Sequence, residues 1–207
     1  MGAGGFVETT PDAATDIEEI IKVTTLYLDH PVPGQPFVDI FPILRSPKLT
    51  QAVISNLVAH IQATHDVASI AAIVCLEARG FVFAPLIAAR LDLPVIPVRK
   101  KGKLPGSIVS VSYVKEYEVD VFEMKTDAFD GIKEGPVIII DDLIAIGGSA
   151  SAAKQLIAKL GRSVAECVFV FDCPDLYQHV ENVMEDTPTY AMISLNGDVV
   201  SRLPNGT

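Results

Sequence analysis

The sequence predicts an α/β fold: a central, mostly parallel sheet flanked by helices, with one β-hairpin projecting from it. Three observations carry this expectation. Four short, nearly uninterrupted apolar runs, SIAAIVCL (69–76), PVIPVR (94–99), PVIIID (136–141) and AECVFVFD (165–172), read as strands buried on both faces. Helical segments, FVFAPLIAARL (81–91) and GSASAAKQLIAKL (148–160), follow the first and third of them. Buried strands interleaved with helices build a parallel sheet with right-handed crossovers. SIVSVSY (107–113) and YEVDVFEM (117–124) break that pattern. Each alternates apolar and polar residues, and the intervening VKE closes a hairpin.

From the N-terminus onward, residues 1–12 are rich in glycine and threonine and are expected to be disordered, with residues 13–207 forming one domain. Residues 14–28 place Ile17, Ile20, Ile21 and Tyr27 on one side of a helix. DHPVPGQPF (29–37), with three prolines and a glycine, is a loop. In KLTQAVISNLVAHIQA (48–63), Leu49, Val53, Leu57 and Ile61 recur every fourth residue and form the apolar face of a helix. His60 and His65 straddle its end and are expected at the surface. Gly161 terminates the helix at 148–160. There is no internal repeat.

The 207 residues are 49% hydrophobic and 20% charged, enough for one full core. A formal net charge of −10 argues against general nucleic-acid affinity, which needs basic surface. No run approaches the roughly 18 uncharged apolar residues of a membrane span. The N-terminus has neither the basic start nor the apolar run of a secretory signal, so a cytoplasmic protein without membrane attachment is expected. Cys75, Cys167 and Cys173 lack metal-ligand spacing and are read as small buried hydrophobes. His30, His60, His65 and His179 form no metal or triad pattern.

In open α/β sheets ligands sit at the carboxyl ends of the strands. EARGF (77–81), RKKGKLPG (99–106) and DDLIAIGGS (141–149) all fall there. In the last of these, Gly147, Gly148 and Ser149 precede a helix. Their backbone N–H groups and the positive end of the helix dipole suit a phosphate. The lysine of a Walker loop is absent, and so is the dinucleotide G-x-G-x-x-G pattern. Asp141 and Asp142 cannot serve the phosphate, because like charges repel. Carboxylates do accept hydrogen bonds from hydroxyls and attract Mg²⁺. A ligand with a diol a few ångströms from a phosphate, such as ribose 5-phosphate, satisfies both halves. Arg99, Lys100, Lys101 and Lys103 concentrate positive charge in a Gly/Pro-rich mobile loop of an acidic chain, which focuses a polyanion into a cleft. Arg79 adds a cation at a further strand end. Glu116, between Tyr113 and Tyr117 at the hairpin tip, is a candidate general acid or base if the lid desolvates it.

These segments, in this order, resemble the type I phosphoribosyltransferases, and within them the adenine phosphoribosyltransferases. LEARGF, RKKGKLPG, SYVKEYE and DDLIAIGGS carry the likeness, and PGQPFVDIFPIL (33–44) resembles the base-binding segment of that family. The likeness covers about residues 30–175. It implies the type I phosphoribosyltransferase fold, with residues 13–45 as an N-terminal hood and base-binding segment, 46–175 as core and 176–207 completing the domain. It implies that adenine and phosphoribosyl diphosphate give AMP and diphosphate, with Mg as cofactor, in a homodimer.

Roles follow from the resemblance residue by residue. Ala145, Ile146, Gly147, Gly148 and Ser149 would cradle the 5-phosphate, and Asp141 and Asp142 would hold the ribose hydroxyls. Mg²⁺ would be held mainly by the sugar substrate and water near that pair, with no ligand directly from the protein. Arg79, with the Glu77–Ala78 turn, would bind the diphosphate; that turn often contains a cis peptide in the family. Arg99, Lys100, Lys101, Lys103 and Tyr117 would close on the diphosphate. Phe37 and Leu143 would sandwich the purine, the backbone of Pro36 and Val38 would read its edge, and Glu116 would sit near N7 as the catalytic proton acceptor or donor.

Two residues depart from the family pattern. Ile146 stands where threonine is usual, which removes a hydroxyl from the phosphate loop, a loss of about 1.5–3 kcal/mol for a hydrogen bond to a charged group. Val38 stands where arginine or lysine is frequent. Both motivate a second reading, a phosphoribosyl- or nucleotide-binding paralogue with lost or altered base specificity. A third class, a phosphoacceptor signalling domain, would carry its acidic pair on an early strand, and no such arrangement occurs.

Overall fold

The computed structural model describes residues 13–114, 119–174 and 187–206. Helix α1 (Ala13–Val23) leads into strand β1 (Thr25–Tyr27), which pairs antiparallel with β2 (Phe37–Asp39). The sequence places Tyr27 on a longer helix; the structure puts it on β1. The β-branched Val-Thr-Thr run disfavours further helix. Both the N–H and the hydroxyl of Thr24 donate to the Ile20 carbonyl, closing the last turn. A short helix α2 (Phe41–Leu44), absent from the sequence expectation, precedes α3 (Pro47–Thr64). The Ser46 side chain caps α3 by accepting from the Leu49 N–H, with proline in the first turn.

The principal sheet has seven strands. Four match the apolar runs: β3 (Ala72–Leu76), β4 (Val95–Lys100), β7 (Val137–Ile144) and β8 (Val164–Asp172). Helix α4 (Gly80–Leu91) follows β3, and α5 (Gly148–Lys159) follows β7. The hairpin is β5 (Ile108–Val114) and β6 (Val119–Lys125). A last strand, β9 (Thr189–Ser194), and a short helix α6 (Gly197–Val200) complete the described chain. The spatial order is β5-β6-β4-β3-β7-β8-β9. The five strands from β4 to β9 run parallel, and β6 joins β4 antiparallel through Arg99↔Glu123 and Lys100↔Phe122.

Alternation along the central strands buries both faces. Ile73, Cys75, Ile138, Ile140, Val168 and Val170 pack with α3 and α4. Ala72, Val74, Val137, Ile139, Cys167 and Phe169 pack with α5 on the opposite side. All three cysteines are buried and unbridged, and burial pushes each thiol up to about 12. They are inert hydrophobes, as expected.

The two helix-end histidines are half-buried rather than fully exposed. His60 Nε2 and His65 Nε2 lie 2.9 and 2.8 Å from the two oxygens of buried Glu166 on β8. The His60 ring also stacks on Tyr190, with centroids 3.6 Å apart. A polar residue opening an apolar strand needs hydrogen-bond partners once buried, and these rings provide them. Among the described residues, no helix is long and apolar enough to cross a membrane.

Candidate active site

The carboxyl ends of β3, β4 and β7 bring the three sequence motifs to one edge. Strand β7 runs three residues past its sequence-expected end, so Asp142, Leu143 and Ile144 join Asp141 on the strand. Pairing with β8 through Asp141↔Phe169 and Leu143↔Phe171 holds them there. The loop proper is Ala145–Gly147. Gly147 caps α5 with φ +80°, a left-handed conformation that suits glycine. No side chain among the described residues caps that helix start, which leaves its first N–H groups facing the loop.

Glu77 and Ala78 are joined by a cis peptide bond, in the turn where the resemblance implies one. Arg79 follows as the residue preceding α4. Its Nε lies 3.1 Å from Asp142 Oδ2, an ion pair whose N–H is not aligned as a hydrogen bond. That oxygen has no hydrogen-bond donor among the described residues. Arg79 Nη1 donates to the Val38 carbonyl at 2.9 Å, and its guanidinium carbon stands 5.0 Å from the Phe37 ring centroid. Strand β2, the turn after β3 and the acidic pair therefore meet at one guanidinium. Phe37 and Pro36 are half-buried, Val38 is buried, and Leu143 is half-buried on β7.

The acidic pair is electrostatically loaded. Burial, reinforced by the neighbouring Asp142 charge, holds the Asp141 carboxyl well above the usual range. Burial also raises Asp142, and the adjacent Arg79 opposes the rise. The Asp142 N–H donates to Asp141 Oδ1 at 2.9 Å. Gly80 permits this crowding: a Cβ there would lie 2.9 Å from both Asp141 Oδ1 and the Ile140 carbonyl.

The basic run divides. Arg99 and Lys100 are strand residues of β4 rather than loop residues, because β6 pairs with them. Arg99 grips Glu77 through Nε and Nη2 at 3.1 and 3.0 Å, and the Lys100 N–H donates to Glu77 Oε2 at 3.0 Å. These contacts, the Arg99 bonds foremost, lower the Glu77 carboxyl. Lys101 and Lys103 are exposed in the turn beyond, where Gly102 has φ +76° and donates its N–H to buried Glu123.

A second chain of contacts was not legible in the sequence. Lys100 Nζ lies 3.3 Å from Asp120 Oδ2, which accepts from the Tyr113 hydroxyl at 3.3 Å. Ser149 Oγ sits 3.5 Å from the same hydroxyl. Burial pushes that phenol up to about 12, so it stays protonated. The tip end of the hairpin, where Tyr113 pairs with Asp120, is thus tied to the first turn of α5. Asp120 reads in sequence as one more outward polar residue of an alternating strand. Ala145 and Ile146 occupy the loop half-buried. Glu116 and Tyr117 lie outside the described residues. Among the described residues, no group of three or more His, Cys, Asp or Glu is placed to hold a metal.

An acidic strand end, an open helix N-terminus and clustered cations thus share one edge of the sheet. A family model, the phosphoribosyl transferase domain, matches residues 42–199, and the chain belongs to that family. Its curated relatives are more specific. An adenine phosphoribosyltransferase from Eremothecium gossypii is 41% identical over 155 residues, covering 75% of this chain and 82% of that protein. One from Yarrowia lipolytica is 45% identical over 147 residues, covering 70% and 79%. The solved adenine phosphoribosyltransferase of Saccharomyces cerevisiae, complexed with adenine and an imino-altritol bisphosphate, matches with a TM-score of 0.78 at 36% identity. That match covers 87% of this chain and 99% of that one. The fold is the type I phosphoribosyltransferase fold.

Proposed function

We propose that this protein forms AMP and diphosphate from adenine and phosphoribosyl diphosphate. The observation that supports it most is the placing of Asp141 and Asp142 at the end of β7, directly before the uncapped N-terminus of α5. Carboxylates there take the ribose 2- and 3-hydroxyls while the N–H groups from Ala145 to Ser149 take the 5-phosphate. The purine lies between Phe37 and Leu143, under a hood formed by residues 13–45, with the backbone of Pro36 and Val38 along its edge. The N7–H tautomer of adenine attacks the anomeric carbon through its N9 lone pair, the C1–O bond breaks with its electron pair leaving on diphosphate, and Glu116 takes the N7 proton.

Charge accumulates on the departing diphosphate, and fixed cations stabilise it best. Arg79, Arg99, Lys100, Lys101 and Lys103 are the cations of that edge, and Tyr117 and the Glu77–Ala78 turn complete the binding set. Asp142 Oδ2, without an aligned donor among the described residues and beside a second carboxylate, suits a hard cation. Mg²⁺, carried mainly by the sugar substrate and water near Asp141 and Asp142, would supply neutralisation of the diphosphate charge. The protein works in the cytoplasm as a homodimer, whose interface would cover exposed apolar side chains such as Phe41 and Leu86. Sedimentation checks the dimer.

The test is a panel of purine bases incubated with phosphoribosyl diphosphate and Mg²⁺. AMP from adenine is the expected product. Well-folded protein that makes none would sink the assignment, and nucleotide binding without turnover would instead identify a binding paralogue. Reversal of that state by Ile146→Thr would locate the cause in the phosphate loop.

A further inference from the structure

Arg79 makes three contacts at once, and two of them are the contacts an aminopurine would need. Its Nη1 donates to the Val38 carbonyl at 2.9 Å, where a purine amine would donate. Its planar guanidinium lies 5.0 Å from the Phe37 ring centroid, within cation–π range and over the face where a purine would stack. The third contact, Nε to Asp142 Oδ2 at 3.1 Å, occupies a carboxylate that a ribose hydroxyl would need. Val38 is 4% exposed and Asp142 2% exposed, so neither acceptor can be shared freely with water.

We propose that Arg79 and an aminopurine compete for one set of contacts, the Val38 carbonyl and the Phe37 face, and that diphosphate draws Arg79 away from them. The inference rests on the base and sugar assignments above. A diphosphate group at the Glu77–Ala78 turn carries more negative charge than one carboxylate, so it draws the guanidinium off Asp142. The same movement frees the Val38 carbonyl and the Phe37 face for adenine, and Asp142 for the sugar. One side chain thereby couples the two halves of the site: the diphosphate end raises affinity for the base, and by linkage the base raises affinity for the diphosphate end. Val38 fits this arrangement. Being aliphatic, it adds no second cation to compete with Arg79 near the turn. The carbonyl that Arg79 covers accepts only a donor, which favours a purine bearing an exocyclic amine over one bearing a carbonyl at that position.

Calorimetry of adenine binding, with and without Mg²⁺-diphosphate, tests this without turnover. Wild-type protein is expected to bind adenine about tenfold or more tightly when diphosphate is present, because only the open fraction of free enzyme accepts the base. Arg79→Met is expected to bind adenine alone about as tightly as the diphosphate complex of wild type does, with the enhancement by diphosphate gone. Equal adenine affinity of wild type with and without diphosphate would overturn the proposal, and this measurement needs no variant. Enhancement that persists in Arg79→Met would overturn it as well. An AMP assay on wild type runs alongside. AMP formation with no coupling defeats the Arg79 proposal alone. Absence of both AMP and adenine binding defeats the base assignment, and the proposal with it.

Discussion

Asp141 shows how a single residue sets stability against function. Its folded-state pKa is raised by burial and by Asp142. The native state therefore binds a proton that the unfolded chain releases. Stability from this group is present below the unfolded carboxylate pKa and is lost as pH rises towards the folded value. Asp141→Asn removes that cost. It should raise Tm at pH 8, by about 2–4 °C for each kcal/mol recovered in a chain of this size, while sharply raising KM for phosphoribosyl diphosphate. An unchanged KM would refute the ribose role. The same shift predicts a pH dependence of substrate binding. On the proposed ribose role the hydroxyls are held by the ionised pair, so affinity for the Mg²⁺ complex of phosphoribosyl diphosphate should increase as pH rises and binding should release protons. Titrations in two buffers of different ionisation enthalpy read this directly; identical heats would contradict it.

At the scale of elements, the site depends on how closely α4 and β4 approach the ends of β3 and β7. Gly80→Ala would push a methyl to 2.9 Å from the Ile140 carbonyl, a backbone atom that cannot swing away. Helix α4 would have to shift, at about 1–3 kcal/mol, and the displaced Arg79 should lower kcat/KM more than the loss of stability explains. Glu77→Gln would leave Arg99 without its charged partner on a partly exposed face. About 0.2–1 kcal/mol of stability is the expected loss, with the main effect on diphosphate affinity, since Glu77 aims Arg99 and pins the Lys100 N–H. Normal inhibition by diphosphate would argue that Glu77 only supports the turn. The central strands were legible because burial on both faces leaves an apolar run that composition alone reveals. β1, β2, α2 and β9 were not, since their short segments gain their structure from partners remote in sequence. Lys100 read as loop for the same reason: pairing with β6 carries β4 one residue past Arg99.

Over the whole molecule, β1 near the start of the described residues meets the segment that follows α6. The Leu26 N–H donates to the Pro204 carbonyl, the Gly206 N–H donates to the Leu26 carbonyl, and Leu203 is 5% exposed in the core. A chain ending at Arg202 should therefore loosen β1 and β2, seen as faster amide exchange at Leu26 and Val38 and a higher KM for adenine. Undiminished protection would show that β1 and β2 are held by α1 and α3 alone.

The local code determined much of this protein: the buried strands, the helices that follow them, the glycine loop at an acidic strand end, and the family likeness carried by those motifs. Each is a property of neighbours in the chain, where propensity, periodicity and turn chemistry act over a few residues. Tertiary structure alone decided the convergence of Arg79 on Val38, Phe37 and Asp142, the clamp of Glu77 on Arg99, the Tyr113–Ser149 tie and the pairing of His60 and His65 with Glu166. Those contacts join residues 22 to 106 positions apart, and a charge or hydrogen-bond acceptor carries no mark in sequence of the distant group that will satisfy it once water is excluded.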